Sequence, residues 1–168
     1  MSTFPLFYTH VRVTSPARIN VGGIENNFME ELRQDIMTTI NSRGINALFV
    51  EANDAERLIQ QIATIFDLKL NRLFVWETSK AQGVLMAYDG STDIWEGQLL
   101  AFISDFQSEV FLVLTNEAYY PWPVLKCKKE EVVTIISEQF FFEYFIFDST
   151  MNKIVFDTHQ NMLQRYSI

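Results

Sequence analysis

The sequence predicts an α+β fold: a single domain in which an antiparallel or mixed sheet of about five to six strands carries three to four packed helices. Three observations predict it. Late in the chain, two runs rich in aromatic and β-branched residues, Phe140–Asp148 and Lys153–Asp157, flank Ser149-Thr150-Met151-Asn152. Such runs suit a pleated, half-buried surface and the polar spacer is turn chemistry, so the pair reads as a β-hairpin. Upstream, apolar residues recur at helical spacing in three separate stretches, and these helices supply cover for the hairpin's rings on one face of the sheet. At 168 residues the chain has the size of one domain and buries roughly two-thirds of its unfolded surface in one core.

Composition narrows the function classes. A single cysteine, Cys127, excludes an intramolecular disulfide and a cysteine-based zinc site, which fits a reducing compartment, and a cytoplasmic location is expected. The N-terminal stretch Met1–His10 lacks a basic region followed by a long apolar run, and no window reaches the ~20 apolar residues of a membrane span, so neither a leader nor a membrane association is expected. Twenty-one acidic against thirteen basic side chains give a net charge of −8. That field repels phosphate backbones, so nucleic acid is not expected as a partner; it attracts basic proteins, and it also keeps many ordinary proteins soluble.

In chain order, residues 1–24 hold Pro5, Pro16, Gly22 and Gly23 around His10-Val11-Arg12-Val13, the pattern of an extended arm with an edge strand. From Asn27, Phe28, Leu32, Ile36 and Ile40 fall four apart with Met29 and Met37 beside them, and Arg43-Gly44 ends a helix over 27–43. Ile45–Val50 reads as a loop with a strand-like end. Asn53 with Glu56 three residues on forms a reciprocal cap for a helix over 54–66, whose apolar face is Leu58, Ile59, Ile62, Ala63, Ile65 and Phe66. The runs 73–77 and 84–88, separated by a short polar stretch, pair most simply as an antiparallel hairpin. A cap at Ser91 to Asp93 opens a helix over 92–105 with Trp95, Leu99, Phe102, Ile103 and Phe106 on one stripe, and a strand follows at 110–115. Pro121 and Pro123 make 116–123 a loop. Lys128–Ile136 reads as a fourth helix, with a strand as the alternative for 132–136, and the tail 158–166 allows a short closing helix.

Motifs of catalysis are scarce. The chain contains no Walker-type loop, Gly-x-Gly-x-x-Gly, Gly-x-Ser-x-Gly or His-Glu-x-x-His, and its six glycines leave little material for a phosphate cradle. No catalytic residue, metal ligand set or cofactor is therefore assigned. Asp157 and His159 share a strand face and form a possible carboxylate and imidazole pair, although a closing turn uses such residues equally well. Two acidic clusters stand at helix starts: Glu51, Asp54 and Glu56, and Asp89, Asp93 and Glu96. Each complements a helix dipole, and each also offers a negative surface to a basic partner. Tyr119, Tyr120 and Trp122, in a proline-stiffened loop, are either rigid anchors for a partner or rings folded back over the sheet.

The run Glu143-Tyr144-Phe145-Ile146-Phe147-Asp148, a short turn, and Ile154-Val155-Phe156-Asp157-Thr158-His159 resemble a group of small bacterial α+β proteins, some of which look like immunity proteins of polymorphic-toxin and contact-dependent inhibition systems. Where that group shows a tryptophan early in the second strand and two adjacent histidines after it, this chain has Lys153-Ile154 and a single His159, so no site built on paired histidines carries over. The resemblance implies a non-enzymatic binding protein: a cytoplasmic immunity protein that covers the active site of a cognate toxin, expected to be basic and nuclease-like. Nothing in the residues fixes an oligomeric state. Two other classes stay open at this point, a small hydrolase with a carboxylate or His159-centred site and a non-catalytic adaptor module.

Overall fold

The computed structural model describes residues 25–70, 75–78, 83–88, 92–116, 120–140, 142–158 and 161–168. Among them the fold is α+β, as the sequence predicts. Four helices, α1 (Glu25–Arg43), α2 (Ala52–Phe66), α3 (Thr92–Phe102) and α4 (Lys129–Ser137), accompany seven strands: β1 (Leu48–Phe49), β2 (Gly83–Ala87), β3 (Glu109–Thr115), β4 (Val124–Lys128), β5 (Glu143–Asp148), β6 (Lys153–Thr158) and β7 (Met162–Ser167). They form one antiparallel sheet in the order β1-β4-β3-β5-β6-β7-β2. The expected arm and edge strand in 1–24 lie outside the described residues.

The late hairpin stands at the centre of this sheet. Its turn is held by Asp148, whose carboxylate accepts the Thr150 hydroxyl at 2.9 Å and the Asn152 N–H at 3.1 Å, so the Asp-Ser-x-x-Asn stretch folds as its side chains dictate. Along β5 the side chains alternate: Tyr144 and Ile146 enter one core, Phe145 and Phe147 the other. The first core is closed by α1, α3 and α4 through Met29, Ile36, Leu99, Ile103, Val132 and Ile135; the second by α2 and the 3-10 turn Val75–Thr78 through Ile59, Ile62, Phe66 and Val75. The expectation of helices on one face is thereby corrected. A run apolar at both parities, such as Tyr144-Phe145-Ile146-Phe147, demands cover on both faces, because every second ring would otherwise stand in water.

Other expectations are corrected for local reasons. The stripe of α1 is Met29, Leu32, Ile36 and Ile40, while Phe28 and Met37 are exposed; residues four apart drift by ~40° per step around a helix of 3.6 residues per turn, which carries Phe28 off the face. Helix α2 starts one residue before the proposed cap: the Glu51 carbonyl accepts the N–H groups of Asp54 (3.0 Å) and Ala55 (2.8 Å), and no side-chain cap forms. Of the expected hairpin of 73–77 with 84–88, residues 73 and 74 lie outside the described residues, and among the described ones no such pairing is present. Val75–Thr78 is a 3-10 turn, and Gly83–Ala87 pairs instead with β7, Gly83 opposite Tyr166 and Ala87 opposite Met162. The closing helix is this strand β7, its helix-favouring Met, Leu, Gln and Arg overruled by pairing on both sides with β6 and β2. Strand β4, unassigned in the sequence, begins immediately after Pro123. The 92–105 helix stops at Phe102, where Arg165 donates to the Phe102 carbonyl (3.1 Å) and Lys129 to that of Phe106 (2.9 Å), cations placed where the helix dipole is negative. Lys153 and Arg165 both pair with Asp105.

Candidate functional site

The exposed side of α2 carries the residues that the sequence singles out at 51–56, and the fold brings one member of the aromatic loop to the same helix at Gln60. Glu56 and Gln60 are one turn apart and exposed, and the Gln60 amide donates to the Tyr120 hydroxyl at 2.7 Å. Tyr120 is 44% exposed. Its ring meets Trp122 edge-on, with centroids 5.6 Å apart, and the Tyr120–Pro121 peptide is cis. Asp54 pairs with Arg57, which offsets one charge of the cluster, whereas Glu51 and Glu56 make no ion pair among the described residues and keep their field toward solvent. Asn53, Asp54, Glu56, Arg57 and Gln60 thus form a charged, amide-bearing face on α2, with the Tyr120 ring held against it at Gln60. Gln60 was not singled out from the sequence. Its signal was available, four residues after Glu56 on the polar side of an amphipathic helix.

Trp122 belongs elsewhere. It is 4% exposed, its Nε1–H donates to the Asn116 carbonyl at 2.8 Å, and its ring packs edge-on to Phe145, centroids 6.3 Å apart. Burial of this ring withdraws it from the partner-binding residues and makes it cover for the sheet, the other use that a proline-stiffened aromatic loop allows. Tyr119 lies outside the described residues. So do Asp89 and the side chain of Asp93; Glu96, the third member of that cluster, stands half-buried on α3. Helices α2 and α3 cover opposite faces of the sheet, so the two acidic clusters do not merge into one surface.

Asp157, offered by the sequence as half of an Asp157 and His159 pair, is buried in β6. The Tyr88 hydroxyl donates to one carboxylate oxygen at 2.6 Å and the Tyr144 hydroxyl to the other at 2.8 Å. Burial, and after it the Asp157 charge, hold the Tyr144 hydroxyl well above its usual pKa. This arrangement joins β5 and β6 to the residue that follows β2, and satisfies a buried carboxylate by charge-assisted hydrogen bonds. His159 lies outside the described residues. Among the described residues no group of three or more His, Cys, Asp or Glu is placed to hold a metal ion, and no helix is long and apolar enough to cross a membrane. Chemically, the α2 face can recognise cationic and hydrogen-bonding groups, and Asp157 can hold protons in place within the core.

No protein family, curated protein or solved structure matches this chain.

Proposed function

We propose that this chain is a cytoplasmic immunity protein that binds a cognate, basic, nuclease-like toxin and covers its active site. The observation that carries the reading is the Gln60–Tyr120 hydrogen bond, which seats an exposed aromatic ring against α2 at Gln60, one helical turn from the uncompensated carboxylate of Glu56. Tyrosine beside unpaired carboxylates on a preformed helix recognises Lys- and Arg-rich protein surfaces: the ring contributes contact area at small entropic cost, and the charges steer encounter. The net charge of −8 and the resemblance of the late hairpin to immunity-like proteins support the same reading. In this reading Glu51, Asp54, Glu56 and Tyr120 touch the partner, and Glu96 contributes only to the long-range field. The hydrolase alternative draws less support, since both oxygens of Asp157 already hold tyrosine hydroxyls in the core.

The test is co-expression with the toxin domain encoded by the adjoining reading frame, followed by binding kinetics on the purified pair. Wild type restores growth. Glu51→Lys combined with Glu56→Lys lowers the association rate and flattens its salt dependence, while Tyr120→Ala raises the dissociation rate by about fivefold or more, worth ~1 kcal/mol. Failure to bind or protect, or hydrolytic activity of the purified chain abolished by His159→Ala, overturns the proposal.

A further inference from the structure

The two edges of the sheet are built differently. At one, β1 contributes two residues. At the other, β2 contributes five, Gly83-Val84-Leu85-Met86-Ala87, all in unbroken register with β7 on its inner side. Natural edge strands are blunted by lysines, prolines, bulges or extreme shortness, because an unpaired row of N–H and C=O groups is a template for another strand. Among the described residues, strand β2 shows none of these devices. Val84 and Leu85 are 61% and 57% exposed, and because successive residues point to opposite faces they flank the open edge above and below. Val84 lies opposite Arg165, on the side of α3, and Leu85 opposite Gln164, on the side of α2.

We propose that β2 is a homodimerisation edge: a second copy of this chain adds its own β2 antiparallel to the first, about a two-fold axis through Leu85, and the two sheets become one. The strand itself identifies its occupant. Pairing centred on Leu85 sets Gly83 opposite Ala87, Val84 opposite Met86 and Leu85 opposite its own copy, and it is the register in which all five residues of both strands pair. No charge faces a like charge, although each chain carries −8. A basic partner finds no counter-charge here. The sheet order puts β1 and β2 at opposite edges, so a dimer through β2 leaves the edge at β1 free.

Five residues a side make a contact at the low end of specific interfaces, so the dimer is weak, with half-association in the micromolar to millimolar range. Its salt dependence has a definite sign. Two acidic copies repel, screening relieves the repulsion, and added salt strengthens the dimer. Binding of a basic partner through the α2 face responds in the opposite direction, so the two associations are separable and either is refutable without the other.

Sedimentation velocity on the full chain, from about 10 μM to about 1 mM at low and high salt, reads the association directly. The weight-average mass should rise from 19.6 kDa toward twice that value, further at high salt. Leu85→Lys should remain monomeric throughout with an unchanged melting curve. If that variant fails to fold, cysteine substitutions decide: with diamide as the two-electron oxidant, Leu85→Cys should form a disulfide dimer, since each Leu85 faces its own copy at strand-pair distance. Val84→Cys, opposite Met86, should cross-link at least fivefold less. Cys127 is buried, so the wild-type chain supplies a thiol control. A wild type monomeric over the whole range, a dimer unaffected by Leu85→Lys, or equal cross-linking at both cysteines overturns the proposal.

Discussion

Trp122→Ala should cost stability rather than binding, and the size of the loss follows from the contacts of the ring. The substitution removes a side chain 4% exposed, packed edge-on against Phe145 and Tyr120, and deletes the donor that satisfies the Asn116 carbonyl at 2.8 Å. Truncating a buried tryptophan costs ~3–5 kcal/mol. The upper part of that range applies, because β3, β4 and β5 are held in register by the sheet and cannot close over the gap. For a chain of this length each kcal/mol lowers the melting temperature by about 2–4 °C, so ~4–5 kcal/mol corresponds to roughly 8–20 °C. Trp122→Phe keeps most of the packing and loses the hydrogen bond, which is worth ~1 kcal/mol. Thermal and urea unfolding followed by circular dichroism measure both. A Trp122→Ala protein that melts within ~2 °C of wild type refutes the placement of this ring in the core and restores it as a candidate contact residue.

Alkaline pH should unfold the chain earlier than its surface charge implies. Burial pushes the Cys127 thiol from its usual 9.0 up to about 12, and the Tyr144 hydroxyl is raised well above 10.0 by burial and by Asp157. Both groups hold their protons more tightly when folded, so the thiol's contribution, complete below pH 9, is lost between pH 9 and 12, and the tyrosine's is lost as the pH rises above 10, at ~1.4 kcal/mol per pH unit for each proton released on unfolding. In Cys127→Ala, urea titrations should show the decline starting nearer pH 10, the tyrosine's threshold. Arg165, by its hydrogen bond, holds the Asp105 carboxyl below its usual 3.8; that contribution is present above pH 3.8 and lost as the pH falls, and Arg165→Ala should raise the Asp105 pKa in an NMR titration. Gly83→Ala places a Cβ 2.7 Å from the Tyr166 ring and 3.0 Å from the Arg165 carbonyl oxygen and should lower stability by ~1–3 kcal/mol in urea, an effect that adding Tyr166→Leu relieves only in part.

What the residues disclose by themselves is local. The hairpin 143–158, the four helices and the strand 109–115 are legible because each is written in a periodicity or a turn chemistry carried by its own residues. The partner of β2 is not, since nothing in Gly83-Val84-Leu85-Met86-Ala87 specifies Met162–Ser167, and the shortest connection in the chain points to 73–77 instead. Strand β7 was hidden by the same cause, its residues favouring helix until two neighbours fix them. At the candidate site, the exposed carboxylates at 51–56 were visible as a cluster, but the arrival of Tyr120 on the same helix depends on a hydrogen bond between residues 60 and 120. The fate of Trp122 was undecidable for a related reason: a ring in a Pro-x-Pro loop looks alike whether it faces a partner or Phe145.

The pairing of Gly83 with Tyr166 also sets a schedule for synthesis. A ribosome delivers residues one at a time, at about 5–20 per second, so β2 waits roughly 4–17 s for its inner neighbour to be made. Helix α2 can form its turns during that interval, and β3, β4 and β5 can assemble around one another. Strand β2 cannot join them, because β7 lies between it and β6. For those seconds the nascent chain presents Val84-Leu85-Met86 without its inner neighbour β7, an apolar segment of the kind that chaperones and neighbouring nascent copies both capture. Translation speed across residues 88–160 therefore bears on the yield of folded protein, and synonymous slowing there should favour aggregation even though the finished molecule is unchanged.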